Sequence, residues 1–386
     1  MAKNEKNTAP ERIKPSTDQW RTLYDAAAEL KALAPWEKLD NMNLIVITLP
    51  GEEEPYFCSL LGNGGQAYGV AVYPGYVAFS QLMRLHYSAS GPLPMLFLLD
   101  QRSINCHFGD REDIEKEDRE PMKALGLRFR GRGQWTYFRS MKPGQFPWMI
   151  SAEEADCLCR LFPHLLDACR CCLDGGYEFD DASFMKWSCE DGQWRASSLL
   201  RSKIQLAIPI PVFDPEEQAS LEKARKTKKS LELDAWYLPV PIQDKRSAAP
   251  HSMHMAILAD RKDDMILDQQ LTPSDESTQY AWVALLCSYI AKHGRPANLY
   301  VRDEWMAMPI KQLCNDLGIK LHIGKRMQIM DDIFFSLFTG FVDVMGDDDD
   351  DDSDLFGEFD DSLSIFRNIA EDDFPERPDN VIKFPK

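Results

Sequence analysis

The stretch GRPANLYVRDEWMAMPIKQLCNDLGIKLHI, residues 294–323, contains two short apolar runs on either side of an amphipathic segment. The runs at 299–302 and 319–323 have the length and composition of strands. Between them we expect a helix, because Pro309 suits a first helical turn and Gly318 suits a C-terminal cap. The stretch therefore predicts a strand, a helix and a second strand.

The neighbouring residues extend this pattern to an α/β domain of residues 233–342. Three strands and a helix that stops at Gly294 are predicted before the stretch, and a last helix is predicted after it. These elements lie at 233–242, 253–259, 265–271, 275–293 and 331–341. The resulting order βββαβαβα is that of the ribonuclease-H-like fold, and this part of the chain resembles that superfamily in element order and spacing.

A second α+β domain is predicted at residues 19–178, so the fold class is α+β with two mixed α/β domains. Its helices are expected at 18–33, 77–85 and 151–173, and its strands at 44–49, 56–61, 67–73 and 95–99. Residues 179–232 are predicted to connect the domains through an edge strand at 204–212 and a basic helix at 215–231. Residues 1–18 are predicted to be a disordered lead.

The last 44 residues, 343–386, carry most of the net charge of −18, with 16 acidic and 4 basic residues. The six consecutive aspartates Asp347–Asp352 repel one another and predict a disordered acidic tail. Beyond them, apolar residues recur at helical spacing, which predicts a short amphipathic helix that contacts a protein partner or the body of the same chain. This apolar stripe consists of Phe356, Phe359, Leu363 and Phe366.

Three aspartates occupy the places where ribonuclease-H-like nucleases carry metal-binding carboxylates. Asp234 is on the first strand of the C-terminal domain, Asp303 follows the fourth, and Asp331 or Asp332 lies at the start of the last helix, which Asp331 opens. Such carboxylates hold two divalent ions, so one hypothesis is a Mg²⁺- or Mn²⁺-dependent nuclease or phosphoryl-transfer domain. The structural alternative is that strand ends favour aspartate and that Asp331 is a helix N-cap.

An arginine-rich segment, Arg128 to Trp135, interleaves Arg128, Arg130 and Arg132 with aromatic residues. Guanidinium–phosphate pairing and base stacking would use this composition on single-stranded nucleic acid. The alternative is a hairpin that turns at the glycines and exposes its arginines to water. We keep nucleic acid as a possible partner of these three arginines and do not favour it.

Five of the ten cysteines, Cys157, Cys159, Cys169, Cys171 and Cys172, fall within the predicted helix 151–173. Residues 157 and 159 point to nearly opposite sides of a helix, and residue 171 lies about 20 Å further along its axis. One helix cannot bring these thiolates to one ion, so we expect core-filling, reduced thiols and no metal site.

Composition and motifs favour a protein that is not an enzyme. No apolar run approaches the about 20 residues of a membrane span, and the polar N-terminus carries no export signal, so we expect a cytoplasmic protein without a membrane partner. The chain has no nucleophile elbow, metalloprotease helix, phosphate loop or paired cysteine knuckle, and we expect no cofactor outside the metal hypothesis. These observations favour function through protein–protein contacts.

A set of aromatic and glycine positions carries a family resemblance. In the N-terminal half it comprises Trp20, Leu23, Tyr24, Pro35-Trp36, Tyr68-Gly69 and Tyr73-Pro74-Gly75; in the C-terminal half it comprises Gly294-x-Pro296 and Leu317-Gly318-Ile319. With these motifs the chain resembles a family of uncharacterised bacterial proteins built from two tandem domains of unknown function. The resemblance implies a fold and brings no catalytic residues.

Overall fold

The structure is a computed structural model that describes residues 12–65, 67–88, 98–208, 210–238, 240–243, 249–273, 281–324, 326–334 and 336. The helices are α1 (Thr17–Leu33), α2 (Gly75–Ser88), α3 (Arg119–Ala124), α4 (Ala152–Leu173), α5 (Pro215–Lys223), α6 (Ala281–His293), α7 (Glu304–Ala307) and α8 (Lys311–Leu317). The strands are β1 (Ile45–Thr48), β2 (Tyr56–Leu61), β3 (Tyr68–Pro74), β4 (Ser103–Gly109), β5 (Trp135–Met141), β6 (Ser183–Glu190), β7 (Gln193–Leu200), β8 (Ser230–Tyr237), β9 (Met253–Asp260), β10 (Met265–Pro273), β11 (Asn298–Val301) and β12 (Lys320–Ile323). The predicted mixed α+β class is confirmed, with two sheets.

The N-terminal unit is built on a seven-stranded sheet of order β5-β4-β3-β2-β1-β6-β7. All its neighbours are antiparallel except β1 and β6, which pair in parallel. Strands β4 and β5 were not predicted. Strands β6 and β7 were not predicted either, because their residues were interpreted as part of the connecting segment. The predicted edge strand at 204–212 is wrong: the described residues of that range form no strand. The basic helix is shorter than predicted, since α5 ends at Lys223.

Helices α1 and α4 cover one face of this sheet. Both begin with a reciprocal capping box, Ser16 with Gln19 and Ser151 with Glu154, so backbone donors at each helix start are satisfied. The prediction of a helix at 151–173 is confirmed. Helix α2 covers the other face, where Phe79 stacks on Phe57 with ring centroids 4.3 Å apart. Of the strand predicted at 95–99, residues 95–97 lie outside the described residues and 98–100 form a 3-10 turn.

The C-terminal unit is built on a five-stranded sheet of order β10-β9-β8-β11-β12. Strands β8, β9 and β10 are antiparallel neighbours, whereas β8, β11 and β12 are parallel. Helices α6 and α8 pack on one face, and a helical segment at 328–334 packs on the other through Met330 and Phe334. The predicted order of elements is confirmed, but the first strand is shifted towards Ser230 and the last helix starts at 328.

The two units meet where the chain leaves β5. The Phe146 N–H donates to the Pro250 carbonyl at 2.9 Å, and the Ser252 N–H donates to the Gly144 carbonyl at 2.8 Å. The apolar side chains of Leu99, Phe146 and Tyr237 pack together at this contact. The C-terminal unit therefore touches the N-terminal unit at the end of β8, which is where the candidate site lies. In the described part of the chain, no helix has the length and apolarity that a membrane crossing requires.

Candidate functional site

Asp234 lies in the middle of β8 and is 1% exposed. Its Oδ2 accepts hydrogen bonds from two nitrogens of Arg302, from Nε at 2.7 Å and from Nη2, while its Oδ1 accepts from the Ala235 N–H at 3.0 Å. Burial raises the pKa of Asp234 because it disfavours the charged form, and the Arg302 guanidinium opposes that rise. Asp234 is therefore a buried carboxylate with Arg302 as its counter-ion.

Asp331 approaches the same arginine from the other side. Arg302 Nη1 donates to Asp331 Oδ1 at 2.9 Å, and both side chains are mostly buried. Burial lowers the pKa of the Arg302 guanidinium, but Asp234 and then Asp331 outweigh that effect, so the pKa is raised. The interpretation of Asp331 as an N-cap is wrong, because the helix already starts at 328 and the Asp331 N–H donates to the Met327 carbonyl.

Asp303, the third predicted carboxylate, pairs with a different arginine. It follows β11 and is the N-cap of α7, where its Oδ1 accepts from the Met306 N–H at 3.0 Å. Its Oδ2 accepts from Arg84 Nε at 2.8 Å, and Arg84 belongs to α2 of the N-terminal unit. Arg84 also donates from Nη1 to Asp100 Oδ2 at 2.6 Å. The third aspartate thus takes part in a contact between the two units.

These contacts test whether the aspartates could hold divalent ions. A two-metal site needs carboxylate oxygens that converge on the ions and have no competing cation between them. Here the guanidinium of Arg302 lies between Asp234 and Asp331, and Asp303 is bound to Arg84. Over the described residues, no group of three or more His, Cys, Asp and Glu side chains is arranged to hold a metal. The residues present do not fit a two-metal centre.

A further ion pair on the same face of β8 was not predicted from the sequence. Arg261 Nη1 donates to Oε1 of Glu232, a residue that is 1% exposed, at 2.8 Å. The Arg261 guanidinium also lies over the ring of Tyr300, 4.1 Å from its centroid. The alternation of Glu232, Asp234 and Trp236 along one strand face could have indicated this buried acidic row, because i and i+2 share a face in a strand. Buried carboxylates in such a row require cationic partners.

A small cavity of about 30 Å³ lies between the two units at the ends of β8 and α2. By volume it has room for about two water molecules. Its lining includes Gln81, whose Oε1 has no hydrogen-bond partner within the described residues, and His254, whose Nδ1 likewise has none. Burial, and then Arg84, lower the pKa of His254 to about 4. Burial raises the pKa of Asp100, also in the lining, to about 6, against the effect of Arg84.

The three arginines of the nucleic-acid hypothesis, Arg128, Arg130 and Arg132, are all exposed. Phe129 and Trp135, which would stack on bases, instead pack against the core of the N-terminal unit. The segment joins α3 to β5 rather than forming a hairpin, although the expectation that its arginines face water is confirmed.

The cysteines of α4 face the core to different extents. Cys169 is buried, whereas Cys157, Cys159, Cys171 and Cys172 are half-buried, and all are free thiols. Burial raises the pKa of each of the five thiols. The apolar stripe predicted to bind a partner, Phe356, Phe359, Leu363 and Phe366, lies outside the described residues.

Comparison with known proteins gives two family matches. Residues 20–186 match the family model described as "Domain of unknown function (DUF7309)", and residues 217–338 match the model "Domain of unknown function (DUF6930)". The chain thus contains two domains of unknown function in tandem. A search of curated proteins finds no match.

Among solved structures, one similar chain belongs to the "CryoEM structure of simian T-cell lymphotropic virus intasome in complex with PP2A regulatory subunit B56 gamma". The two chains are 12% identical, with a TM-score of 0.21, and the match covers 41% of this chain and 62% of the other. The chain therefore spans less than two thirds of that protein, and a likeness this low carries no argument about fold or function.

Proposed function

We propose that this is a bacterial cytoplasmic protein that acts through protein–protein contacts and not as an enzyme. Its C-terminal unit is, on this proposal, a ribonuclease-H-like module in which ion pairs have taken the place of a metal centre. The strand order β10-β9-β8-β11-β12, with three antiparallel and then two parallel members, supports the module. The family resemblance supports the bacterial source.

The observation that carries the proposal is the position of Arg302 between Asp234 and Asp331. A divalent ion and a guanidinium compete for the same carboxylate oxygens, and the guanidinium is covalently part of the site. Arg302 is mostly buried, with 17% of its side chain exposed, so displacing it would leave a cation without its counter-ions in a poorly solvated place. The guanidinium therefore neutralises both carboxylates without a metal and opposes metal entry.

A nuclease assay tests the proposal directly. The full chain is incubated with Mg²⁺ or Mn²⁺ and a mixture of single- and double-stranded DNA and RNA, beside the variants Asp303→Asn and Asp181→Asn. Asp181 is the matched control, because it is an exposed carboxylate between α4 and β6, outside the candidate site. We expect no cleavage by any of the three proteins. Metal-dependent cleavage that Asp303→Asn abolishes and Asp181→Asn preserves would overturn the proposal in favour of a nuclease.

Metal binding gives a second readout that does not depend on finding the right substrate. An ion that binds the folded state with a dissociation constant one hundredth of its concentration stabilises it by about 2.7 kcal/mol. We expect millimolar Mg²⁺ or Mn²⁺ to leave the melting temperature of the wild-type protein unchanged. A rise that Asp234→Asn removes would contradict this expectation.

The partner is proposed to bind the apolar stripe Phe356, Phe359, Leu363 and Phe366, whose spacing gives one side of a helix an apolar surface. Amphipathic helices of this kind are recognised in apolar grooves of partner proteins. The stripe supports the proposal by composition and spacing, and the run Asp347–Asp352 before it would tether it to the body of the chain.

A further inference from the structure

We propose that the exposed arginines of the segment 128–132 form a docking surface for the acidic run Asp347–Asp352 of the same chain. This inference deepens the proposed function and rests on it in one respect, that the tail takes part in protein contacts. On this proposal the arginine segment binds the acidic run, and the apolar stripe remains available to a partner protein.

The arginine segment is held in a defined conformation. The Gly133 N–H donates to Asp110 Oδ1 at 2.6 Å, and Lys31 Nζ donates to the Gly133 carbonyl and to Gln134 Oε1, the latter at 2.9 Å. The ring of Phe129 lies 6.1 Å from that of Tyr24 and 5.9 Å from that of Trp135. These contacts anchor the backbone and the aromatic side chains, so the backbone that carries the arginines loses little conformational entropy on binding.

The exposure pattern places two of the three charges on one side of the chain. Leu127 and Phe129 are half-buried, whereas Arg128 and Arg130 are exposed, as in an extended segment with alternating sides. The chain then turns at Gly131, whose φ is 93°, and Arg132 follows this turn. Arg132 is exposed as well, so all three guanidinium groups are accessible to an acidic segment.

None of the three arginines makes a hydrogen bond or an ion pair with any described residue, which sets this surface apart from the other basic segment, 223–229. There, Lys229 pairs with Asp260 and with Asp263. Arg225 Nε donates to the His293 carbonyl at the end of α6, at 3.4 Å. That segment thus has one of its charges, Lys229, in ion pairs inside the C-terminal unit, whereas none of the three arginines has an ion-pair partner among the described residues.

The occupant follows from charge and reach. The acidic run is the densest negative segment of the chain and lies outside the described residues. An extended chain from residue 336, the last one described, to residue 347 spans up to about 37 Å. Covalent attachment therefore keeps the run at a high effective concentration near the surface of its own molecule.

Nucleic acid is the less favoured occupant of the same arginines. Its bases would need aromatic platforms, and Phe129 and Trp135 are packed against the core. The acidic run, in contrast, is covalently attached and approaches the arginines without a partner search.

Arginine modification in the full chain tests the proposal. Phenylglyoxal reacts with accessible guanidinium groups, and peptide mapping by mass spectrometry gives a rate for each arginine. The wild-type protein is compared with a variant in which Asp347–Asp352 are asparagine, and with a matched variant that neutralises six other tail acids. These six are Asp354, Glu358, Asp360, Asp361, Glu371 and Asp372. Arg195 is the internal control, because it is exposed on β7, outside the arginine segment.

We expect Arg128, Arg130 and Arg132 to react at least about threefold faster in the asparagine variant at low salt, and the difference to vanish near 0.5 M NaCl, where charges are screened beyond about 4 Å. Arg195 should react equally in all proteins. Equal rates for the three arginines in wild type and variant would overturn the proposal, as would an equal acceleration in the matched variant.

A single-stranded oligonucleotide added to the asparagine variant separates the two occupants. Protection of the three arginines by micromolar oligonucleotide, without protection by the acidic run in the wild type, would assign the surface to nucleic acid and overturn the proposal. The modification rates do not involve catalysis, so their failure leaves the nuclease test of the proposed function unaffected.

Discussion

Arg84 of the N-terminal unit donates from Nε to Oδ2 of Asp303 in the C-terminal unit at 2.8 Å. Only 8% of the Arg84 side chain and 23% of the Asp303 side chain are exposed, and the guanidinium also lies 5.6 Å from the ring centroid of Trp305. This buried pair links two elements far apart in sequence, and it uses a carboxylate that a metal centre would have needed.

The first prediction concerns this pair. In a double-mutant cycle with Arg84→Met and Asp303→Asn, we expect a coupling energy of about 1–3 kcal/mol in the free energy of unfolding. Asparagine preserves the cap of α7, because its side-chain oxygen can still accept from the Met306 N–H, so the cycle reports the ion pair. The exposed pair of Asp18 and Arg21 is the control and should give less than about 0.5 kcal/mol. A coupling near zero for Arg84 and Asp303 would show that the pair does not join the units.

The second prediction concerns the arginine between two aspartates. Arg302→Met should lower the free energy of unfolding by about 3–5 kcal/mol at neutral pH, because it leaves Asp234 buried without a counter-ion. Burial already raises the pKa of Asp234, and losing Arg302 raises it further. The deficit should therefore shrink as the pH falls and Asp234 becomes protonated. Denaturant unfolding at several pH values measures it. The double variant Arg302→Met with Asp234→Asn should recover stability; no recovery would mean that Asp234 is not the cause.

The third prediction concerns two groups with opposite pH dependence in the interdomain cavity. Burial raises the pKa of Asp100 to about 6, so its folded form binds a proton more readily than its unfolded form, and its contribution to stability falls as the pH rises from about 4 to 6. Burial lowers the pKa of His254 to about 4, so its contribution is lost as the pH falls from about 6.5 to 4. The two groups therefore change the stability of the folded state in opposite directions between about pH 4 and pH 6.

Relative to the wild type, the Asp100→Asn variant should therefore become more stable as the pH rises from 4 to 6. The His254→Gln variant should become less stable, relative to the wild type, over the same range. Each change is up to about 3 kcal/mol, because one pKa unit corresponds to 1.36 kcal/mol. Thermal unfolding at pH 4, 5 and 6 distinguishes the signs. Parallel curves for the wild type and both variants would show that neither group titrates in this window.

The element order of the C-terminal unit could be predicted because each element carries its own local signal. Gly318 adopts the left-handed conformation that ends α8, and the turn before β10 is rich in charged residues. Strands β6 and β7 were missed for the opposite reason. The pattern of β7 mixes Arg195, Ser197 and Ser198 with half-buried residues, so the strand exists through its pairing with β6 rather than through its own propensity.

The candidate site was predictable only in part. The positions of Asp234 and Asp331 follow from the element order, and the structure brings both to one place. Their shared ion-pair partner could not be predicted from the element order. Arg302 adjoins Asp303 in sequence, but its side chain contacts the carboxylates of Asp234 and Asp331. Arg84 comes from another unit, 219 residues away in the chain, and no local pattern connects it with Asp303.

The fourth prediction concerns the cysteines. Thiolates are the reactive and metal-binding form, and burial raises the pKa of all five α4 thiols. We expect iodoacetamide at pH 7.5 to modify Cys189, the exposed one of the ten, well before any cysteine of α4. The reduced protein should also contain no stoichiometric zinc by elemental analysis. About one tightly bound zinc per chain, or faster labelling of α4, would contradict the core-filling interpretation.

The fifth prediction separates the two parts of the tail. One variant replaces Phe356, Phe359, Leu363 and Phe366 by serine and keeps every charge; a second replaces Asp347–Asp352 by asparagine and keeps the stripe. Burying one phenylalanine contributes about 2 kcal/mol before ordering costs. If the stripe docked on its own chain, removing it would therefore lower the melting temperature by several degrees. Because we propose that the stripe binds a partner, we expect the serine variant to melt within about 1 °C of the wild type and to lose a protein that co-purifies with both the wild type and the asparagine variant.

A clear drop in melting temperature of the serine variant would instead place the stripe on the body of the chain. Unchanged stability together with unchanged co-purifying proteins would mean that the stripe binds neither, and the partner proposal for the tail would then be wrong.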